Sequence, residues 1–102
     1  MDKIFKALSD KNRRKILTLL NKKDMSVNEI LSYFNNIGQS TLSNHLSILK
    51  EVNLVNFIIK GKQRIYRINK ELLVAFAENM RKFIGKIDNN FLKDIEIRER
   101  KV

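Results

Sequence analysis

The chain contains no cysteine, no proline and no tryptophan, and it has only three glycines among its 102 residues. Without cysteine, disulfide bonds, thiolate metal sites and thiol redox sensing are all excluded. Because glycine and proline are so scarce, no segment has the composition of a linker, and we expect a single domain over residues 1–102. No apolar run is long enough to cross a bilayer, and the first residues lack the apolar core of a signal peptide, so we expect a cytoplasmic protein.

Positive charge is the most pronounced feature of the composition. Lysine and arginine number 21 against 11 acidic residues, which gives a formal net charge of +10. A hydrophobic fraction of 43% is sufficient for a folded core and excludes a disordered basic tail. A small folded domain with this charge favours a polyanionic partner, either nucleic acid or an anionic membrane surface, and nucleic acid is the commoner of the two.

The segment from residue 38 to residue 52 combines an apolar stripe with a small polar face. Leu42, Leu46 and Leu49 recur at helical spacing and predict a helix over about residues 39–52. A face of short, uncharged side chains can approach base edges in a DNA major groove, although a serine-rich surface helix without a ligand is the alternative. The polar face consists of Gln39, Ser40, Thr41, Ser43, Asn44 and Ser47.

A second helix is predicted immediately before this one. The segment Ser26-Val-Asn-Glu29 has the form of a capping box, in which a serine side chain and a glutamate side chain each satisfy a free main-chain N–H. Turn residues from Asn35 to Gly38 then separate the two helices. The two helices and their turn therefore predict a helix-turn-helix.

The chain before the helix-turn-helix predicts two further helices. A short one covers residues 2–8, and Ser9 or Asp10 caps the next, which runs from Lys11 to Lys23. Three basic residues near the start of the longer helix, residues 13–15, are interpreted either as a phosphate contact or as an ordinary solvated face.

Residues 55–69 predict a β-hairpin with a basic tip. Its first strand is rich in β-branched and aromatic residues, and its second alternates so that Tyr66 and Ile68 face inward while Arg67 faces outward. Basic residues near a tip attract DNA phosphates, although lysines at a sheet edge can also serve only to prevent unwanted pairing. The basic residues are Lys60, Lys62, Arg64 and Arg67.

The helix predicted over about residues 70–87 is more apolar than one small core requires. We expect it to pair with its copy across a two-fold axis, together with residues 2–8, although intramolecular packing is the alternative. The expected dimer contacts are Ile4, Phe5, Leu8, Leu73, Phe76, Met80, Phe83 and Ile87. Farther on, Phe91, Leu92, Ile95 and Ile97 predict one or two additional helical turns.

Four segments of the chain resemble the ArsR/SmtB family of bacterial winged-helix repressors: Phe5–Asp10, Arg13–Leu17, Ser40–Leu46 and Gly61–Ile68. The resemblance runs from about residue 3 to about residue 84, and its most specific part is a Ser-x-x-Ser-x-His-Leu helix followed by a hairpin ending in Tyr-x-Ile. It implies a mostly α fold with a small β-hairpin wing (α+β), and a homodimer that binds inverted-repeat operators through recognition helices and wings. The resemblance implies that the residues in contact with DNA are Gln39, Ser40, Thr41, Ser43, Asn44, His45, Lys62, Gln63 and Arg64.

The chain departs from the metal-responsive members of that family. Those members draw on cysteine pairs, or on Asp, His and Glu of the terminal helix, whereas this chain has one histidine, His45. We therefore expect no metal and no cofactor, and we interpret His45 as a hydrogen-bonding residue within the helix-turn-helix or as a DNA contact. The resemblance to metal-independent autorepressors implies a membrane or other protein that relieves repression; a small organic ligand at the dimer interface is the alternative.

Taken together, the sequence predicts a sequence-specific transcriptional repressor. The alternative is a winged-helix adaptor that binds a protein partner without specific DNA binding. The fold alone does not decide between these two functions. An enzyme is not expected: the chain shows no Ser-His-acid or Cys-His pairing and no phosphate-binding glycine loop.

Overall fold

The computed structural model describes residues 2–87 of the chain. A first compact unit ends at Leu72, and a second begins at Leu73. The helical turns predicted around Phe91, Leu92, Ile95 and Ile97 lie outside the described residues. The single domain predicted over residues 1–102 also extends beyond them and stays a prediction.

Five helices and three strands make up the described part of the chain. They are α1 (Asp2–Leu8), α2 (Lys11–Lys22), β1 (Met25–Ser26), α3 (Val27–Leu31), α4 (Gln39–Glu51), β2 (Val55–Lys60), β3 (Gln63–Ile68) and α5 (Lys70–Ile87). The strands form an antiparallel sheet in the order β1-β3-β2. The predicted fold, mostly helical with a hairpin wing after a helix-turn-helix, is confirmed. The sheet contains one strand that the sequence analysis did not predict, β1. With only two residues, β1 is too short to show an alternating pattern in the sequence.

Side-chain caps start two of the helices, as the sequence predicts. The Asp10 carboxylate accepts hydrogen bonds from the main-chain N–H groups of Asn12 at 2.8 Å and Arg13 at 3.1 Å at the start of α2. At the start of α3, Ser26 Oγ accepts from the N–H of Glu29 at 3.2 Å, and Glu29 Oε1 accepts from the N–H of Ser26 at 3.3 Å. Both bonds of the predicted capping box are therefore present.

The core of the first unit forms where α2, α3, α4 and the base of the hairpin meet. The apolar stripe predicted for α4 lies in it, since Leu42, Leu46 and Leu49 are almost completely buried. The buried apolar side chains are Ala7, Ile16, Leu17, Leu19, Leu20, Met25, Ile30, Phe34, Leu42, Leu46, Leu49, Leu54, Val55 and Tyr66. This packing sets the rotation of α4 about its axis, and therefore which of its side chains face outward.

Helix α5 exposes apolar side chains along its length. None of its residues is buried within the described chain, and Val74, Phe83 and Ile87 are 63%, 51% and 68% exposed. Leu73, Phe76, Met80 and Ile84 are intermediate in exposure. The bounds of α5, Lys70–Ile87, agree with the helix predicted over about residues 70–87. No helix in residues 2–87 combines the length and apolar character that crossing a membrane requires.

Candidate nucleic-acid interface

The polar face of α4 is exposed along the helix. Burial of its three leucines turns the opposite side outward, where every member of the predicted polar set is exposed: Gln39, Ser40, Thr41, Ser43, Asn44 and Ser47. These side chains present hydroxyl and amide groups on short stems, with no charged side chain among them. A helix of this kind can bring donors and acceptors within hydrogen-bonding distance of base edges.

The first turn of α4 has main-chain donors available. Gly38 is the N-cap residue, and no side chain among the described residues caps the helix there. The N–H groups of the first turn have no partner within the helix, and the helix dipole places partial positive charge at this end. The start of α4 is therefore suited to lie against a negatively charged group.

The hairpin formed by β2 and β3 is the wing of the fold. It turns at Gly61, whose φ of +64° lies in the left-handed region that favours glycine. Lys62 is the second residue of the turn, Gln63 and Arg64 begin β3, and all three are exposed, as a contact with DNA would require.

The wing tip lies beside the start of α4, and a cleft of about 270 Å³ separates them. Gln39 from α4 lines it together with all three predicted wing residues. The structure therefore joins the two sets of DNA-contact candidates, which are separated by more than twenty positions in the sequence. Asn28 from the first turn of α3 also lines the cleft, and no sequence motif singled it out.

The basic residues of the hairpin differ in their surroundings. Arg67 forms a salt bridge to Asp24 at 3.5 Å, which ties the wing to the loop before β1. The Arg64 guanidinium lies over the ring of Phe57, with 4.6 Å between Cζ and the ring centre. Arg67 is therefore partly neutralised by an acid, whereas Arg64 rests on an aromatic face that leaves its charge intact.

His45 is the member of the predicted contact set that the structure places elsewhere. Its side chain faces the core and the residue is only 8% exposed. Nδ1 lies 3.2 Å from a terminal nitrogen of Arg13, and Nε2 lies 4.0 Å from a carboxylate oxygen of Asp10. Because a guanidinium can only donate, Nδ1 accepts the hydrogen bond and the ring proton lies on Nε2, facing Asp10. His45 is hydrogen-bonded, but to Arg13 of α2 and not within the helix-turn-helix as the sequence analysis expected. Because the residue is buried, we do not retain it as a direct DNA contact.

The basic cluster at the start of α2 forms hydrogen bonds to main-chain carbonyl groups of the same chain. Arg13 Nε donates to the carbonyl of Ala7 at 2.6 Å, and Arg14 donates to that of Leu8 at 2.7 Å, so both satisfy free carbonyls at the end of α1. Lys15 Nζ donates to the carbonyl of Tyr33 at 2.6 Å. Arg14 and Lys15 are exposed, in agreement with the solvated face that the sequence left as an alternative to phosphate contact, but the bonds to main-chain carbonyls were not expected. Since Arg13 also reaches His45, it connects α1 directly to the buried side of α4.

The Asp10 cap gives the first testable prediction. The main-chain N–H of Arg13 donates to the carboxylate and lowers its pKa below the ordinary value of 3.8; partial burial opposes this, and the N–H of Asn12 lowers the pKa further. We expect Asp10→Ala to lower the free energy of unfolding by about 1 kcal/mol at pH 7, the usual effect of removing an N-cap. Urea denaturation measures it.

The same cap has a defined pH dependence. A lowered folded-state pKa means that the charge of Asp10 stabilises the fold above the pKa of the unfolded carboxyl group, and that this contribution disappears as the pH falls through the folded-state pKa. Asp10→Asn keeps an acceptor but removes the charge. We therefore expect wild type to exceed Asp10→Asn in stability at pH 7, and the difference to shrink below pH 3.8. A difference that grew on acidification would contradict this assignment.

The described residues offer no obvious metal centre. Among residues 2–87, no group of three or more His, Cys, Asp or Glu side chains is arranged to hold a metal ion. The lone histidine has Arg13 and Asp10 as its neighbours.

Comparisons with known proteins agree with this arrangement. Residues 10–56, which include the helix-turn-helix, match the family described as bacterial regulatory protein, arsR family. The chain is 40% identical over 90 residues to the transcriptional repressor SdpR of Bacillus subtilis (strain 168), covering 88% of this chain and 99% of that protein.

Solved structures of similar proteins share the fold. An ArsR-like transcriptional regulator from Rhodococcus sp. RHA1 superposes with a TM-score of 0.76 at 26% identity, covering 94% of this chain and 90% of that one. A homodimeric winged helix-turn-helix DNA-binding domain from Mycobacterium bovis, described as a possible ArsR-family regulator, gives a TM-score of 0.66 at 25% identity, covering 88% of this chain and 83% of that one.

Proposed function

Because the chain belongs to the arsR family of bacterial regulatory proteins, we propose that it is a sequence-specific transcriptional repressor that acts as a homodimer on an inverted-repeat DNA operator. The observation that carries this proposal is the exposed, uncharged polar face of α4 beside the basic tip of the wing. The relatives support it, since they include a transcriptional repressor and a homodimeric DNA-binding domain. These functions involve DNA binding and not catalysis, in agreement with the expectation that the chain is not an enzyme.

In the proposed complex, α4 is the recognition helix and reads the major groove. Its polar face supplies Gln39, Ser40, Thr41, Ser43 and Asn44, while the first-turn amides lie against a phosphate. Asn44 is suited to bidentate contact with adenine, because its amide both donates and accepts. His45 and Arg13 hold the buried side of the helix in place.

The wing supplies contacts with the DNA backbone. The cleft is lined by Gln39 of α4 and by the wing residues Lys62, Gln63 and Arg64. The DNA strand that the wing contacts therefore lies next to the groove that α4 reads. A lysine or arginine that neutralises a phosphate releases condensed counterions and contributes affinity without sequence preference. We therefore assign base reading to α4 and most of the salt-dependent affinity to the wing.

The two half-sites of an inverted repeat require two recognition helices related by a two-fold axis. We propose that α5 supplies the central part of the dimer interface through Leu73, Phe76, Met80, Phe83 and Ile87, with Ile4, Phe5 and Leu8 of α1 as further contacts. Exposure of Phe83 and Ile87 supports this assignment, because large apolar side chains exposed along a whole helix mark an interaction surface. The homodimeric relative from M. bovis supports the same assembly.

A pair of alanine variants tests the division between base and phosphate contacts. We expect Asn44→Ala to lower the discrimination between the operator and a sequence variant by about 1–3 kcal/mol, because a bidentate base contact is lost. Lys62→Ala should weaken binding to all DNA and lower the salt slope of log affinity by about 1.8 for a dimer, one phosphate contact per protomer. Fluorescence anisotropy with the DNA upstream of the gene, at several salt concentrations, measures both quantities.

The control variants are Asn21→Ala and Lys22→Ala, which change the same residue types at exposed positions of α2. Both should bind as wild type does. If wild-type protein shows no preference for the upstream region over random DNA at moderate salt, the repressor function is refuted. A partner protein that co-purifies in the absence of DNA binding would favour the adaptor function instead.

The mechanism that relieves repression is proposed from the family resemblance alone. We propose that a membrane or other protein binds the repressor, since the chain has no cysteine and only one histidine to serve as a metal sensor. A small organic ligand at the dimer interface is the alternative. Because its proposed ligand is the bacterial chromosome, we place the protein in the cytoplasm.

A further inference from the structure

Phe57, near the base of the wing, holds two positively charged side chains that come from different elements. The centre of its ring lies 4.6 Å from Cζ of Arg64 on β3 and 5.4 Å from Nζ of Lys50 in the last turn of α4. Both distances are within the range of cation–π attraction, in which the negative face of the ring stabilises a cation. Tyr66 packs against Phe57, with the ring centres 5.2 Å apart, so the ring is supported on the sheet.

Within the part of the chain that the structure describes, no acid neutralises these two cations. The salt bridges among residues 2–87 involve Lys23, Arg67 and His45, and neither Lys50 nor Arg64 has a carboxylate within 4.0 Å. A single aromatic ring does not cancel two positive charges, and like charges that lie against the same ring repel one another. An anion in contact with both cations would remove that repulsion and would form two charge-assisted hydrogen bonds.

Lys50 lies on the same side of α4 as the polar face. Ser43, Ser47 and Lys50 follow one another at intervals of four and three residues, so they form one continuous edge of the helix. This edge leads from the residues proposed to read bases to the end of the helix nearest Phe57. An anion bound by Lys50 and Arg64 would therefore lie beside the groove that α4 occupies, on the side of the wing.

We propose that Lys50 and Arg64 form a binding site for one DNA backbone phosphate at the flank of each half-site, and that Phe57 is the residue that positions them. This inference rests on the proposed function, because its ligand is part of the operator. It adds Lys50 to the contact set and gives the wing and the recognition helix a shared phosphate. Lys50 and Phe57 carry no sequence motif that would have identified them.

The test compares Lys50→Gln, Arg64→Gln and the double variant with wild type on operator DNA between 50 and 200 mM salt. Each single variant removes one charge-assisted contact from each half-site, so the dimer should bind about a hundredfold more weakly, or tenfold per half-site, and each variant should lower the salt slope. Because both cations share one phosphate, the double variant should lose much less than the roughly ten-thousandfold expected for independent contacts. Lys22→Gln removes the same charge from exposed α2 and should bind as wild type does.

Phe57 is tested by Phe57→Leu and Phe57→Tyr. Leucine keeps an apolar side chain but removes the aromatic face, so Phe57→Leu should lower the salt slope while leaving base preference unchanged; tyrosine should restore the wild-type slope. A structural role alone would change stability without this effect on the slope. Thermal unfolding of both variants, measured in parallel, shows whether they fold.

Phosphate ethylation locates the contact directly. One phosphate per half-site should weaken wild-type binding when ethylated, and the same ethylation should have little effect on Lys50→Gln. If Lys50→Gln retains wild-type affinity, salt slope and ethylation pattern, the phosphate site is refuted while the repressor function stands. If wild-type protein fails to prefer its operator, both are refuted.

Discussion

Phe83→Glu is expected to convert the protein into a monomer and to lower its operator affinity by about a hundredfold. Phe83 is 51% exposed on α5, so the substitution should leave the fold of a single chain intact. In a dimer, however, it would place two carboxylates in an apolar interface, where burying an unpaired charge is costly. In a dimer, binding of one protomer holds the other at a high effective concentration near its half-site. A monomer loses this advantage, which amounts to roughly 10²–10⁴ in affinity.

The matched control for this variant is Ala75→Glu, which adds the same charge to the same helix. At 100° per residue, position 75 lies about 140° from Met80 at the centre of the apolar stripe, so it faces away from the proposed interface. Analytical ultracentrifugation at micromolar concentration should find Ala75→Glu dimeric and Phe83→Glu monomeric, and anisotropy should give the difference in operator affinity. A dimeric Phe83→Glu with unchanged affinity would remove α5 from the proposed interface.

Leu46→Ala is expected to lower the free energy of unfolding by about 2–5 kcal/mol, the range measured when a large apolar side chain is removed from a core. Leu46 is 1% exposed and belongs to the stripe that orients α4. Because a typical domain is stable by only about 5–15 kcal/mol, a loss of this size removes a large share of the stability and raises the ratio of unfolded to folded protein by roughly 30- to 5,000-fold. Repression should fall with it, although Leu46 does not face the DNA.

Ser47→Ala is the control, since residue 47 is adjacent in the chain but exposed. Its stability should lie within about 0.5 kcal/mol of wild type, as for most surface substitutions. Urea denaturation of both variants at one protomer concentration measures the difference, because the stability of a dimer depends on concentration. Equal stability of Leu46→Ala and wild type would contradict the observed packing of α4.

The parts of the structure that the sequence predicted correctly all depend on local patterns. The Ser26–Glu29 capping box, the Asp10 cap and the polar face of α4 each involve residues close together in the chain. The hairpin likewise follows from an alternating pattern around one glycine turn. Helical spacing also separated the leucines of α4 from its outward-facing residues. For this chain, therefore, composition and spacing predicted the fold and the location of the proposed DNA-binding surface.

The errors and omissions concern contacts between residues distant in the chain. The family resemblance placed His45 in the contact set, although it lies three residues after Leu42 and four before Leu49, on the buried side of α4. Its partners Arg13 and Asp10 are brought beside it only by the fold. The strand β1 exists because two residues after α2 pair with β3. In the same way, Arg13 and Arg14 resemble free surface charges until the carbonyl groups at the end of α1 are brought to them.

The sequence by itself determined the helices, the hairpin, the positive charge and the side of α4 that faces outward, because these follow from periodicity and from interactions over a few residues. Only the tertiary structure decided which basic residues have partners within the protein. Arg13, Arg14 and Arg67 are engaged by carbonyls or an acid, whereas Lys50 and Arg64 each lie against the ring of Phe57 and have no neutralising acid among the described residues. The physical reason is that the partner of a charged side chain depends on which groups the fold brings within a few ångströms, whatever their separation in the chain.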